Sequence, residues 1–187
     1  MLIEMAVDSV RVNVQSYQRV VILKEKRSDR YLPIFIGNSE ADAIIAYLHK
    51  VKAPRPQTHD LIKSIFGELG ARVSHIVVND LSNDVYYARI NVELEGRHHE
   101  IDARPSDAIA VAIRLQAPIY CEEAVLEKGA VELESDEETD SVEASGAKPD
   151  AEAAKSTERI PTAFRDFIDT LDLDDLGRGG EAERGKR

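Results

Sequence analysis

The stretch "DARPSDAIAVAIRLQAP", residues 102–118, constrains the fold of this chain most strongly. A strand of mixed polarity ends at Arg104-Pro105, and a helix that is apolar on almost every side follows over 106–116. Proline suits the first position of a helix, and Pro118 prevents the same helix from continuing. A helix with so little polar surface is typical of a core element. The junction raises a question about Arg104, Ser106 and Asp107: they either start the helix or hold a charged ligand at its beginning.

The rest of residues 1–130 alternates between strand and helix patterns, which predicts a compact α+β domain with a mixed sheet and about three helices. The predicted strands cover 10–14, 19–24, 30–36, 72–81 and 118–123, with a hairpin over 83–103 that turns at Glu95-Gly96; the other two helices begin at Ser39 and Thr58. In the helix after Thr58, the apolar residues follow the i, i+3/i+4 spacing of an amphipathic helix; they are Leu61, Ile62, Ile65, Phe66 and Leu69.

Two strand–helix units resemble each other. "IGNSEADAIIAYLHKVKAP" and "ARPSDAIAVAIRLQAP" both run from a strand end through serine, an acid and alanine into an apolar helix that ends at Ala-Pro. The similarity suggests an internal strand–helix duplication.

The charge of the chain is unevenly distributed. The formal net charge is −11, but residues 1–130 carry 16 Lys and Arg against 18 Asp and Glu, whereas residues 131–187 carry 8 against 17. Residues 131–159 have too few apolar side chains to bury a core, so we expect a disordered acidic linker there and a disordered end over 177–187. Between them, residues 160–176 predict a short amphipathic helix, a candidate to dock on the domain or on a partner protein; its apolar face comprises Phe164, Phe167, Ile168 and Leu171.

Cysteine content and hydropathy predict a cytoplasmic protein without a membrane segment. Cys121 is the only cysteine, so no internal disulfide can form, which fits a reducing compartment. The first ten residues lack the basic and apolar regions of a signal peptide. No apolar run approaches the ~20 residues that a membrane-spanning helix needs.

One kind of junction occurs three times, at Ser39-Glu40, Thr58-His59-Asp60 and Ser106-Asp107. Ser39, Thr58 and Ser106 are predicted N-caps, and Glu40 is an acid of the kind that the positive end of a helix dipole favours. Capping alone explains most of this pattern.

Two features of these junctions are not needed for capping. Arg55-Pro56 and Arg104-Pro105 precede the second and third junctions, and a residue before proline is held extended, which limits the direction of each arginine. His59 lies inside one junction, and arginine and helix N-termini both suit phosphate oxygens. The acids would repel a phosphate unless a divalent cation intervenes or a carboxylate–histidine pair handles protons. Spacing along the chain does not decide whether the three junctions meet.

Three motifs together resemble the bifunctional nuclease domain family: "LPIFIGNSEADAI", "RPQTHDL" and "DARPSDAIAVAIRLQAPIY". The resemblance covers residues 1–130, and "FRDFIDTLDLDDL" is similar to a short helix that often follows the domain in bacterial members. It implies DNase and RNase activity, a compact α+β domain and a homodimer. The family's motif positions correspond here to Glu40, Arg55, Thr58, His59, Asp60, Asp102, Arg104, Ser106 and Asp107.

We therefore interpret the chain as a nuclease that hydrolyses RNA and DNA, with roles assigned by chemistry. Arg55 and Arg104 would neutralise phosphate. His59 would move the proton, with Asp60 orienting it or helping to hold a cation. Asp107 would be catalytic and, together with Asp102, would face a metal ion, for which Mg²⁺ is the default among oxygen ligands. Ser106 is interpreted as a cap and not as a nucleophile.

A second interpretation comes from a different class of protein. The chain would be a non-catalytic dimeric module that binds an anionic ligand or a partner protein at the same junctions. The near-neutral charge of residues 1–130 favours it, because nucleic-acid binders usually carry a basic stripe.

Overall fold

A computed structural model describes residues 1–12 and 17–132. Within them the strands are β1 (Leu2–Val12), β2 (Arg19–Glu25), β3 (Arg30–Ile36), β4 (Arg72–Ser82), β5 (Val85–Leu94), β6 (Arg97–Ala103), β7 (Ile119–Glu122) and β8 (Val131–Glu132). The helices are α1 (Asn38–Leu48), α2 (Thr58–Glu68), α3 (Pro105–Leu115) and α4 (Glu123–Gly129). The predicted linker beyond Glu132, the segment 160–176 and the end 177–187 lie outside the described residues.

The strands form one mixed sheet in the order β6-β5-β4-β7-β1-β2-β3-β8. β4 and β7 pair in parallel, and the other neighbours pair antiparallel. Two-residue turns at Asn83-Asp84 and Glu95-Gly96 have positive φ at both positions, the turn chemistry that matches the twist of a hairpin. The predicted α+β class with a mixed sheet is confirmed.

The apolar helix α3 is the centre of the helical layer. It packs against α1 and α2 and against β4 and β5, and residues 108–112 are almost completely buried. Arg104, the residue before Pro105, is extended, with φ −67° and ψ 144°. The strand β6 therefore leads directly into α3, which is buried in the core, as the sequence predicts. The internal duplication stays a prediction, although β3–α1 and β6–α3 are both strand–helix units with helices of 11 residues.

The described residues form four helices where the sequence predicts about three. After β7 the chain forms α4, which buries Val125 and Leu126, and then pairs β8 with β3. Its seven residues carry only two large apolar side chains, too few for a recognisable 3.6-residue period. Burial against the sheet, and not local periodicity, selects this helix.

The apolar residues of α2 are only partly covered by the described domain. Ile62 and Phe66 are partly buried, but Leu61, Ile65 and Leu69 are 55%, 47% and 63% exposed. Periodicity identifies an apolar face but does not say whether the described domain covers all of it.

The predicted N-caps are displaced by one or two residues. The capping residues are Gly37, Gln57 and Arg104, so Ser39, Thr58 and Ser106 lie in the first turns of their helices. At α3 the cause is Pro105, which occupies the first helical position and leaves the extended Arg104 as the cap. Glu40, Asp60 and Asp107 are first-turn acids, as expected.

No helix of the described residues is long and apolar enough to cross a membrane.

Candidate functional site

The N-termini of α1, α2 and α3 meet at a cleft of about 520 Å³. The cleft is lined by Ser39, Glu40, Asp42, Ala43, Gln57, Thr58, His59, Arg104 and Asp107. α3 brings the three junctions together because it packs against both other helices. The structure thus joins residues that lie up to 68 positions apart in the sequence.

His59 is paired with Asp107 and not with its neighbour in sequence. The imidazole is buried, and its Nε2 lies 3.1 Å from Oδ1 of Asp107. A carboxylate can only accept, so Nε2 carries the hydrogen and donates it to Asp107. In the neutral imidazole Nδ1 is then the nitrogen without a hydrogen, and it is buried without a hydrogen-bond partner among the described residues. The arrangement leaves a lone pair on Nδ1 that can accept a proton.

Arg104 connects α3 to α1 across the cleft. Its Nε donates to Oδ2 of Asp107 at 2.7 Å, and its Nη2 lies 2.7 Å from Oε1 of Glu40. The arginine side chain is 67% exposed, whereas that of Glu40 is 16% exposed. Nη1 makes no hydrogen bond within the described residues, so this nitrogen of the exposed side chain can donate to a ligand.

Asp107 is held ionised by its two neighbours. Burial alone would raise the pKa of this carboxyl, but the hydrogen bonds from Arg104 and His59 outweigh it and bring the pKa below its ordinary value. The carboxylates of Asp107 and Glu40 in turn raise the pKa of Arg104. The pair His59–Asp107 can therefore stabilise a positive charge on the imidazole.

Asp60 does not orient His59, contrary to the role expected for it. Oδ1 of Asp60 accepts from Nε of Arg114 at 2.7 Å, and Oδ2 accepts from the backbone N–H of Gln57 at 3.0 Å. These two contacts lower the pKa of the carboxyl. Asp60 is not among the residues lining the cleft. As a first-turn acid, Asp60 caps the start of its own helix through Oδ2, and its Oδ1 faces Arg114 of α3. Asp107, and not Asp60, lies beside His59.

Arg114 is the residue that the sequence analysis missed. It is 4% exposed, donates to the carbonyls of Ala110 and Ala43 at 3.0 Å each, and lies 5.2 Å from the ring centre of Tyr47. Through Asp60 it fixes the start of α2, which carries His59. The signal for it was present, because Arg114 follows Asp107 by seven residues and so lies on the same side of an otherwise apolar helix.

Arg55 and Asp102 are not brought into the cleft. Arg55 is exposed in the loop between α1 and α2, two residues before Gln57. Asp102 is exposed on β6, opposite Arg89 of β5. Neither is among the residues that line the cleft.

The geometry gives no support to the expected Mg²⁺ site. Both oxygens of Asp107 already accept hydrogen bonds, and Asp102 lies elsewhere. Over residues 1–12 and 17–132, no group of three or more His, Cys, Asp or Glu side chains is placed to hold a metal ion. The metal stays a prediction, and the site chemistry below uses only the chain's own groups.

Comparison with known proteins gives the family. Residues 21–134 match the family described as the bifunctional nuclease domain. The chain belongs to the bifunctional nuclease domain family. The match includes every residue that lines the cleft, so the expectation drawn from the sequence motifs is confirmed.

The chain is similar to proteins from Mycobacterium tuberculosis and from plants. An uncharacterized protein of Mycobacterium tuberculosis (strain H37Rv) is 38% identical over 175 residues, which cover 92% of this chain and 97% of that protein. Bifunctional nuclease 1 of Oryza sativa subsp. japonica is 29% identical over 55% of this chain and 32% of its own length. Bifunctional nuclease 2 of Arabidopsis thaliana is 26% identical over 57% of this chain and 33% of its own length. The similarity to the plant proteins thus covers about a third of each of them.

Proposed function

We propose that this protein is a nuclease that hydrolyses phosphodiester bonds of RNA and DNA at the cleft between the three helix N-termini. The observation that carries the proposal is the pair His59–Asp107: Nε2 faces the carboxylate, Nδ1 has no hydrogen-bond partner among the described residues, and Arg104 holds the other oxygen of Asp107. Its membership of the bifunctional nuclease domain family supports the same reaction class.

In the proposed mechanism His59 handles the proton. Nδ1 accepts a proton from the attacking water, or from the 2′-hydroxyl in RNA, through one ordered water since the nitrogen is buried. Asp107 stabilises the imidazolium that forms, and His59 then returns the proton to the leaving oxygen. Nη1 of Arg104 donates to a phosphate oxygen, where negative charge develops.

Three cations support an approach of the nucleic-acid backbone from the loop between α1 and α2. Lys50, Lys52 and Arg55 are exposed, and none of them forms an ion pair within the described residues. The cleft itself holds three carboxylates: Arg104 offsets those of Glu40 and Asp107, and Asp42 is paired with Arg19. The loop cations, with Arg55 as the expected phosphate contact, would supply the electrostatic attraction that the cleft lacks.

The test compares wild-type protein with His59→Gln and Asp107→Asn on labelled RNA, single-stranded DNA and duplex DNA. Each variant is expected to cleave about 10²- to 10⁴-fold more slowly, the range for a lost general acid–base group. Asp102→Asn is the matched control, because this acid does not line the cleft. Equal cleavage by wild type and both cleft variants would show that the activity does not come from this site.

The proposal also includes a cytoplasmic homodimer, and the Mg²⁺ predicted from the sequence is put to a direct test. Cleavage assays with Mg²⁺ and with EDTA decide the metal question. Because Asp107 is occupied on both oxygens, we expect activity to survive EDTA. Loss of activity in EDTA with recovery on Mg²⁺ would place a metal in the reaction.

The second candidate function is a non-catalytic dimeric module for an anionic ligand or a partner protein. It is favoured by Arg104, which two carboxylates already neutralise before any phosphate arrives. Binding of RNA or DNA without turnover, in protein free of contaminating nuclease, would support this module over the enzyme.

A further inference from the structure

An apolar stripe runs along α2 without a partner in the described structure. Leu61, Ile65 and Leu69 follow one another on successive turns of the helix and its cap, and about half or more of each side chain is exposed. We call these three residues the α2 stripe. Single exposed apolar residues are common, but a continuous row of them marks an interaction surface.

The chain on the N-terminal side of the α2 stripe is basic. Lys50, Lys52, Arg55 and Lys63 are all exposed, and none forms an ion pair in residues 1–12 and 17–132. The acid in the same stretch, Asp60, is already bound to Arg114. In contrast, Arg30, Arg72 and Arg89 elsewhere on the sheet each pair with a glutamate. The residues before the stripe and Lys63 within it therefore add unneutralised positive charge to the apolar area, and the exposed acid Glu68 lies at the opposite end of α2.

The sequence contains a segment with the complementary pattern. In residues 160–176, Phe164, Phe167, Ile168 and Leu171 recur at i, i+3, i+4 and i+7, the spacing of one helical face. The same segment carries five aspartates against a single arginine. Apolar groups would meet apolar groups, and its acids would meet the lysines and arginine of the loop.

We propose that residues 160–176 dock as an amphipathic helix on the α2 stripe of the same chain. The apolar face of the segment covers Leu61, Ile65 and Leu69, and its aspartates lie toward the basic loop before α2. An amphipathic helix that docks on an apolar surface contacts it through side chains spaced at i, i+3, i+4 and i+7. The inference concerns a binding surface and does not depend on nuclease activity.

The covalent connection allows this contact. Residues 133–159 separate the end of β8 from the segment, and 27 residues can span at most about 90 Å when extended. That length exceeds any distance on the surface of a domain of this size. Because the segment is tethered, docking is intramolecular and does not require high intrinsic affinity.

The test uses the full chain with a nitroxide spin label at Thr170→Cys. Residue 170 is outside the apolar face of the segment, and Cys121 will not compete for the label because burial raises the pKa of its thiol to about 12. Amide NMR signals are recorded with the label oxidised and reduced. We expect signals of residues 58–69 to lose most of their intensity in the oxidised sample, while signals of β6 do not change.

Two sets of variants provide the controls. Leu61→Gln with Ile65→Gln, both at exposed positions, should restore the α2 signals, and so should Phe167→Asp in the segment. Ile101→Gln on β6, 41% exposed, is the matched control and should leave the effect intact. Unchanged α2 signals in the labelled wild-type background would overturn the proposal.

A mixed sample separates contact within one chain from contact between two copies. Isotope-labelled chain without nitroxide is mixed with spin-labelled chain of natural isotope content. We expect no loss of α2 signals in this mixture. If α2 signals lose as much intensity in the mixture as when the isotope-labelled chain itself carries the nitroxide, the segment contacts the α2 stripe of a second copy. That result would overturn docking within one chain.

Discussion

Arg104 is the N-cap of α3 and Arg114 lies in its last turn, but the two arginines have different roles. Arg114 is buried and uses its guanidinium on Asp60 and two backbone carbonyls, so its charge holds α1, α2 and α3 together. Arg104 is exposed and leaves one nitrogen free of the described residues. Burial distinguishes the arginine that supports the site from the one that is available to a phosphate.

Replacement of Arg114 by methionine should destabilise the protein strongly. The change removes three hydrogen bonds and leaves Asp60 and two carbonyls without their donor. We expect a loss of about 2–4 kcal/mol in the free energy of unfolding, below the value for fully buried pairs since Asp60 is partly exposed. Urea unfolding measures it. Arg89→Met, in an exposed pair, should cost at most about 1 kcal/mol, and a similar loss in both variants would contradict the distinction.

Asp60 should contribute a pH dependence to stability. The pKa of the Asp60 carboxyl is lower in the folded protein than in the unfolded chain, where the pKa of Asp is about 3.9. The stabilisation is therefore present above that value and lost as the pH falls through the lower folded pKa. The difference in unfolding free energy between wild type and Asp60→Asn should be constant above about pH 5, roughly one unit above the unfolded pKa, and should shrink in more acidic buffer. A difference that grows on acidification would reverse this assignment.

At the scale of elements, α4 shows how packing overrides a weak local pattern. Gly129, the last residue of α4, is buried against β3 and β4, and a Cβ at this position would collide with the hydroxyl of Tyr86. It would also lie 3.2 Å from Leu32 and 3.3 Å from Leu81. The absence of a side chain lets the end of the helix approach the sheet.

Gly129→Ala should therefore destabilise the protein, by about 1–3 kcal/mol as for overpacking of a core. Gly67→Ala in α2 is the matched control, because a Cβ there meets nothing within 4 Å. Helix propensity predicts that the control gains roughly 0.5–1 kcal/mol. Thermal or urea unfolding compares the two, and a gain in stability for both would mean that Tyr86 moves away without cost.

At the scale of the whole molecule, charge is separated between the domain and the residues after it. The domain is close to neutral overall, yet the loop before α2 concentrates cations that lack partners among the described residues. Arg104 and these loop cations are the groups that the proposed function assigns to phosphates. Nucleic acid and the acidic segment 160–176 would compete for the loop.

Binding of single-stranded DNA should depend moderately on salt. With three or four phosphate contacts, log K is expected to fall with log salt at a slope of about −2 to −3. Lys50→Gln with Lys52→Gln should reduce the magnitude of that slope by roughly 1.4. Lys26→Gln, whose ammonium is paired with Glu4, should leave it unchanged. Fluorescence anisotropy over a salt series measures the slopes, and a flat dependence in wild type would argue for a protein or small-molecule ligand.

Several features followed from the sequence because they are local. The turn at Glu95-Gly96 and the Arg-Pro entry to α3 depend on neighbouring residues, and each lies where it was expected. In contrast, β1 begins at Leu2, eight residues before the strand predicted over 10–14. The family could be identified for the same reason, since its motifs are short runs of the chain. Helix starts were accurate to one or two residues, because Gly37 and Gln57 can cap as well as the serine and threonine that follow them.

Only the tertiary structure decided which residues act together. His59 is next to Asp60 in sequence, yet its partner is Asp107, 48 positions away, because α2 and α3 pack with their first turns side by side. The same packing buries Arg114 and leaves Asp102 and Arg55 outside the cleft. It also leaves Leu61, Ile65 and Leu69 uncovered in the described domain. Periodicity and propensity determine each element from its own residues, whereas a site built from three helix starts depends on how those elements pack.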